Sequence, residues 1–234
     1  MDAPTWRDPL PAILLLLTVT TGLVDAVSVL ALGKVFVANL TGNIAFLGFA
    51  IGGEPEFSIP RCVVAVVAFM LGAALGGRLA RAHENHPRRR WLLVIAAIES
   101  AVLFIAAWAA IGYDVRRLEP QGALYLMIVM TALAMGLRNA TTRALAVPDM
   151  TTTVLTQTLT GLAADSWIAA GRNTRWQRRL SGVLCMFAGA LIGTVLIRLG
   201  GPAVALALAG TLVLAVSIFY ATHPASTAPR GKTA

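Results

Sequence analysis

Four stretches of this chain, residues 62–77, 120–137, 180–197 and 199–222, contain no Asp, Glu, Lys or Arg. Two more, residues 10–32 and 91–113, contain one charge each, Asp25 and Glu99. A run of about 20 predominantly apolar residues is long enough to cross a bilayer as a helix. The run at 62–77 reaches that length with its flanks. In hydrocarbon every backbone polar group must be satisfied within the protein, so such runs fold as helices. An all-α membrane protein with six transmembrane helices is expected. With 57% of its 234 residues hydrophobic and 13% charged, the chain has too little polar sequence left for a separate soluble domain.

The formal net charge of +8 comes from basic residues that punctuate the apolar runs and form no patch interleaved with aromatics, so nucleic acid is not expected as a partner. Cys62 and Cys185 lie far apart in apolar runs and read as small buried hydrophobes. The HENH stretch at 83–86 lacks a third ligand in view, and neither a metal nor another cofactor is expected. No nucleophile–base pair, HExxH or pair of catalytic carboxylates falls in the spans, so the chain is not expected to be an enzyme. The first run is too long for a signal-peptide core, is flanked by Asp2 and Asp8 as well as Arg7, and has a counterpart later in the chain. It reads as a retained helix.

That counterpart reveals a repeat. GLVDAVSVLALGKVFVANLTGN (22–43) aligns with GLRNATTRALAVPDMTTTVLTQT (136–158), setting Gly22, Leu23 and Ala26 over Gly136, Leu137 and Ala140, and Asp25 over Asn139. FMLGAALG (69–76) aligns with MFAGALIG (186–193), so that Gly72 and Gly76 match Gly189 and Gly193. The order is the same in both halves: a span, a polar-rich segment, a GxxxG span and a further span.

The arginines decide whether the polar segments cross. If both cross, the best of the two orientations has 9 basic residues inside and 10 outside. If both are re-entrant, 14 fall inside against 5 outside, which the positive-inside rule prefers. The expected architecture is a 3+3 inverted repeat with two polar re-entrant or broken-helix segments. The first repeat, residues 1–112, has spans at about 10–32, 60–80 and 91–112 and a re-entrant segment at 35–52. The second, residues 113–234, has spans at about 120–140, 180–198 and 202–221 and a re-entrant segment at 149–170. Both termini are then cytoplasmic. In the first re-entrant segment, residues 35–38 descend extended, Gly42 turns, and 44–52 return as a half-helix. The GxxxG pairs suit close helix approach, within one chain or in a homo-oligomer.

GLVDAVSVLALGKVFVANLTGN and the later NATTR and TTTVLTQTLT resemble the YoaK-like family of uncharacterised bacterial polytopic membrane proteins. The resemblance runs over essentially the whole chain. It implies a multi-pass protein of the bacterial cytoplasmic (inner) membrane and names no substrate.

Intramembrane ionisable residues are candidate functional groups. Asp25 lies deep in the first span; it is a proton-binding candidate or half of a structural ion pair with Arg138 or Arg143. Glu99, near the middle of its run, binds a proton or accepts from a neighbouring hydroxyl. Arg138 is an anchor at the membrane interface or a partner for substrate or carboxylate. Asn39, Thr41, Gly42 and Asn43, with Thr153, Thr156, Gln157 and Thr158, are candidates to line two facing half-helix ends, or simply to cap and satisfy backbone, and Asn139, the counterpart of Asp25, is a further substrate-binding candidate. The expected function is a transporter or channel for a small polar or anionic solute, with protons as a candidate co-substrate. The competing expectation is a structural or regulatory membrane protein. The lipid bilayer is the one certain partner.

Overall fold

The structure is a computed structural model, and it describes residues 9–145, 155–169, 171 and 176–227. It is all-helical: α1 (Leu10–Ala31), α2 (Leu40–Ile51), α3 (Ile59–Ala82), α4 (Arg88–Ala109), α5 (Gln121–Leu145), α6 (Leu155–Ala164) and α7 (Trp176–Thr222). Five of these, α1, α3, α4, α5 and α7, are long and apolar enough to cross a membrane. Among the described residues there is no strand, only an isolated bridge between Asp114 and Glu119.

With 47 residues, α7 would extend about 70 Å if straight, over twice the roughly 30 Å hydrocarbon core. It breaks at Gly201, whose φ of 79° and ψ of 176° are open to glycine and costly for other residues. Pro202 follows, suited to a first helical turn where no N–H is needed. Two arms result, residues 176–200 and 202–222.

Small residues set the packing. A Cβ on Gly22 would strike the carbonyl of Met186 and the amide of Ala190; one on Gly189 would strike the carbonyl of Val19; one on Gly193 would meet Ala26 and Leu23. So α1 runs parallel to the first arm of α7 at near backbone contact. The same pattern recurs between α5 and α3. Gly136 lies against Phe69 and Ala73, Gly72 against Leu133, and Gly76 against Ala140 and Leu137. Each residue of the first seam maps onto the second at an offset of 114 (α1 to α5) or 117 (α3 to α7), the offsets seen in the sequence. All four GxxxG glycines therefore face helices of their own chain.

Two apolar clusters mark the ends of the bundle. One collects Leu10, Ile13 and Leu14 from the start of α1, Ala80 from the end of α3, Trp91 and Ile95 from the start of α4, Leu137 and Leu145 from late α5, and Tyr220. The other collects the second half of α1, Ala65 and Ala68, Leu103 to Ala110, Leu124 to Met135, and Ala205 to Val213. Hence α1, α4 and the first arm of α7 point one way, while α3, α5 and the second arm point the other. Although α2 lies between α1 and α3, those two are antiparallel. At 12 residues, about 18 Å, α2 is shorter than the hydrocarbon core is thick, and it packs against α3. At 10 residues, α6 is shorter still and packs against α7.

The far end is tied down by polar contacts. Burial pushes the Tyr113 phenol up to about 12, so it keeps its proton and donates to the carbonyl of Ala31 (3.0 Å). Arg61 donates to the carbonyl of Gly33 (2.9 Å), and Lys34 pairs with Glu56.

Candidate functional site

The polar residues of the first half have two destinations. One is the non-helical segment, residues 35–38, that leads into α2. Its residues Val35, Val37 and Ala38 are buried, where unpaired peptide groups are expensive. Asp25 of α1 accepts the N–H of Ala38 (3.2 Å), and the N–H of Val37 also faces its carboxylate. Asn43, fully buried, brackets Phe36: its Oδ1 accepts the Phe36 N–H (2.8 Å), and its Nδ2 donates to the Phe36 carbonyl. The short helix begins at Leu40 rather than after Gly42, which places Asn43 in its first turn. Gly42 makes no turn; a Cβ there would press on the Phe36 ring. Asn39, at the N-cap, makes no side-chain cap bond.

Asn43→Ala should leave the Phe36 N–H and carbonyl unpaired at a cost of about 1–3 kcal/mol each. Scanning fluorimetry of the detergent-purified protein should show a clear drop in melting temperature. Equal stability of Asn43→Ala and wild type would mean that water serves Phe36.

The second destination lies between α1, α4 and α5. Arg138 and Glu99 form an ion pair, Nη2 to Oε1, and are only 2% and 3% exposed. Through Nη1, Arg138 also donates to the carbonyl of Leu17 (2.8 Å) and to Thr21 Oγ1 (2.9 Å). Thr21 in turn donates to Leu17 (3.1 Å). The third nitrogen, Nε, is buried without a hydrogen-bond partner among the described residues. Arg138 thus lies inside the bundle, not at an interface, and its acidic partner is Glu99; the carboxylate of Asp25 is taken by backbone.

A cavity of about 30 Å³ adjoins the pair. By the space a buried water needs, it has room for about two waters or one small ion. Leu14, Leu17, Ile95 and Val213 make it mostly apolar; Glu99, Arg138, Thr141, Thr142, Ser217 and Tyr220 supply its polar wall. Thr141 and Thr142 donate to carbonyls of their own helix, at 2.8 Å to Leu137 and 3.0 Å to Asn139.

The remaining sequence candidates are spread out. Asn39, Thr41, Thr156 and Gln157 are exposed, Thr158 is half-buried, and Thr153 lies outside the described residues. Asn139 is half-buried and donates to the carbonyl of Met135 (3.3 Å). Sequence reasoning did not single out Thr21, Ser217 or Tyr220. A hydroxyl in an apolar run was their only signal, and most such hydroxyls in this protein bond their own helix, as Thr18, Thr131 and Thr194 do.

The family described as "Protein of unknown function (DUF1275)" matches residues 13–219. The UPF0700 transmembrane protein YoaK of Bacillus subtilis (strain 168) is 31% identical over 165 residues, covering 70% of this chain and 69% of that protein. No solved structure matches.

Proposed function

Since this chain is a member of the DUF1275 family of membrane proteins, we propose, from the arrangement of its helices, that it is a transporter or channel for a small polar or anionic solute in the bacterial inner membrane. Six crossings, three in each direction, form two inverted halves, with α7 crossing twice and α2 and α6 re-entrant. The matched seams, the helix directions and the short α2 and α6 support this reading. The end at which α1 begins and α7 finishes also exposes Arg78, Arg81, Arg89, Arg90 and Arg143, and the positive-inside rule favours it as the cytoplasmic side.

The observation that carries the functional reading is the buried Glu99–Arg138 pair beside a cavity, with the acid from one half and the base from the other. Ionisable residues inside a membrane bundle commonly mark ion and substrate paths. The cavity lies toward the cytoplasmic end. On the other side Leu23, Val24, Val27, Leu103, Met127 and Ile128 pack a buried apolar plug. A specific observation favours the competing reading of a structural or regulatory protein: Asp25 and Asn43 are engaged by backbone rather than held open to a path.

Flux measurements in proteoliposomes separate the two. The panel is formate, acetate, nitrate, chloride, urea and glycerol, with and without a pH gradient. Orientation is scored by an impermeant thiol reagent on Glu54→Cys and Glu84→Cys in a Cys62→Ala/Cys185→Ala background. At least one solute should cross faster than in protein-free vesicles, and the two cysteines should label from opposite faces, Glu54→Cys from outside in intact cells. If no solute exceeds the protein-free rate, the structural reading stands. If both cysteines label from one face, the six-span topology fails.

A further inference from the structure

We propose that Arg138 and Ser217 form a binding site for one small monovalent anion, which takes the place of the Glu99 carboxylate at Arg138 when Glu99 is protonated. The inference deepens the transport reading by naming a ligand class, although binding itself is measured without transport. Arg138 cannot lose its charge under ordinary conditions, and at 2% exposure it needs a counter-charge in the protein. Among the described residues Glu99 is the only acid in the cavity wall and Arg138 the only base. From α1 the guanidinium faces the neutral Leu17 carbonyl and Thr21 hydroxyl. From α5 itself come Thr141 and Thr142, and from α7 come Ser217 and the phenol of Tyr220, the one other titratable group lining the cavity. Once Glu99 takes up a proton, no other group there can balance Arg138.

Two donors are available to an incoming anion. Among the described residues Arg138 Nε has no hydrogen-bond partner, and the hydroxyl of Ser217, a buried residue that lines the cavity, makes no hydrogen bond. The single positive charge fits a monovalent ion. A volume of about 30 Å³ with a mostly apolar wall fits an ion of one to a few heavy atoms, such as chloride, nitrate or formate, and disfavours sulfate or phosphate. Binding balances as one proton added to Glu99 for each anion seated at Arg138, so the cavity keeps its net charge. Because the proton and the anion enter together, affinity must fall as pH rises through the titration of Glu99. The same stoichiometry would make any transport through this site proton–anion symport.

The test uses the full-length protein in nanodiscs and radiolabelled formate. Wild type should bind formate more tightly at low pH, with the half-saturating concentration rising about tenfold per pH unit above the Glu99 titration and one proton taken up per formate. Glu99→Gln, which keeps the side-chain shape and an acceptor for Arg138, should bind formate with no pH dependence. Glu99→Gln/Arg138→Gln is neutral throughout and should not bind. Ser217→Ala should weaken binding about tenfold, as expected for loss of one charge-assisted hydrogen bond. Wild-type binding that ignores pH, binding that survives in the double variant, or no binding at any pH would each overturn the site. Nitrate and chloride as competitors distinguish a general anion site, where both displace formate, from a carboxylate site, where neither does. Flux of urea or glycerol without anion binding would overturn the site and leave the transport reading standing. Binding without flux of any solute would do the reverse.

Discussion

Glu99→Leu should strip most of the folded protein from the membrane, and the double variant Glu99→Leu/Arg138→Met should bring it back. The single change leaves the Arg138 guanidinium at 2% exposure with only the Leu17 carbonyl and the Thr21 hydroxyl as partners. Breaking a buried ion pair from one side costs about 3–5 kcal/mol, because the surviving charge is desolvated without compensation. Replacing both partners with apolar groups of similar volume removes two desolvation penalties along with the attraction, and is often neutral. Quantitative membrane-fraction blots, with melting curves for whatever survives purification, read the cycle. A coupling of several kcal/mol between the two positions is expected. Additive losses, with the double variant worse than either single, would mean that the ion pair does not organise α1, α4 and α5.

A methyl group on Gly189 should be as damaging as one on Gly72, while a methyl group on Gly182 of the same helix α7 should be harmless. At Gly189 the added Cβ runs into the Val19 carbonyl, and at Gly72 into the corresponding Leu133 carbonyl; both are backbone atoms of a facing helix that cannot rotate away. Overpacking of this kind typically costs about 1–3 kcal/mol, and more where whole helices must separate. Around Gly182 there is open space, so Gly182→Ala should gain up to about 1 kcal/mol of helix propensity. Melting temperatures of the three variants should therefore split two down and one unchanged or up. Equal losses at Gly72 and Gly189 would also show that the two seams are energetically equivalent, as their shared residue offsets imply. A tolerated Gly189→Ala would mean that α1 and α7 do not approach at backbone contact.

The sequence by itself determined that this is an all-helical membrane protein, because charge-free runs such as 180–197 and 199–222 have no other stable solution in a bilayer. The two separate runs on either side of Arg198 also marked a division near residue 200, which the structure realises as a break at Gly201. The repeat of Gly22, Gly72 and Gly76 in Gly136, Gly189 and Gly193 was legible because close approach demands glycine at fixed helical spacing. The pairing was not. Only the tertiary structure decided that each GxxxG helix packs on the first helix of the other half, α3 on α5 and α7 on α1, because spacing shows that a helix has a small-residue face but not which face it meets. The same limit governed the polar residues. Asp25 and Glu99 were visible as charges inside spans, and Arg138 as a charge near the end of one. Burial makes each of them find a partner, but the choice between Asp25 and Glu99 for Arg138 depends on distances across helices far apart in sequence. With the carboxylate of Asp25 taken by peptide groups of the non-helical segment at 35–38, Glu99 was the acid left for Arg138.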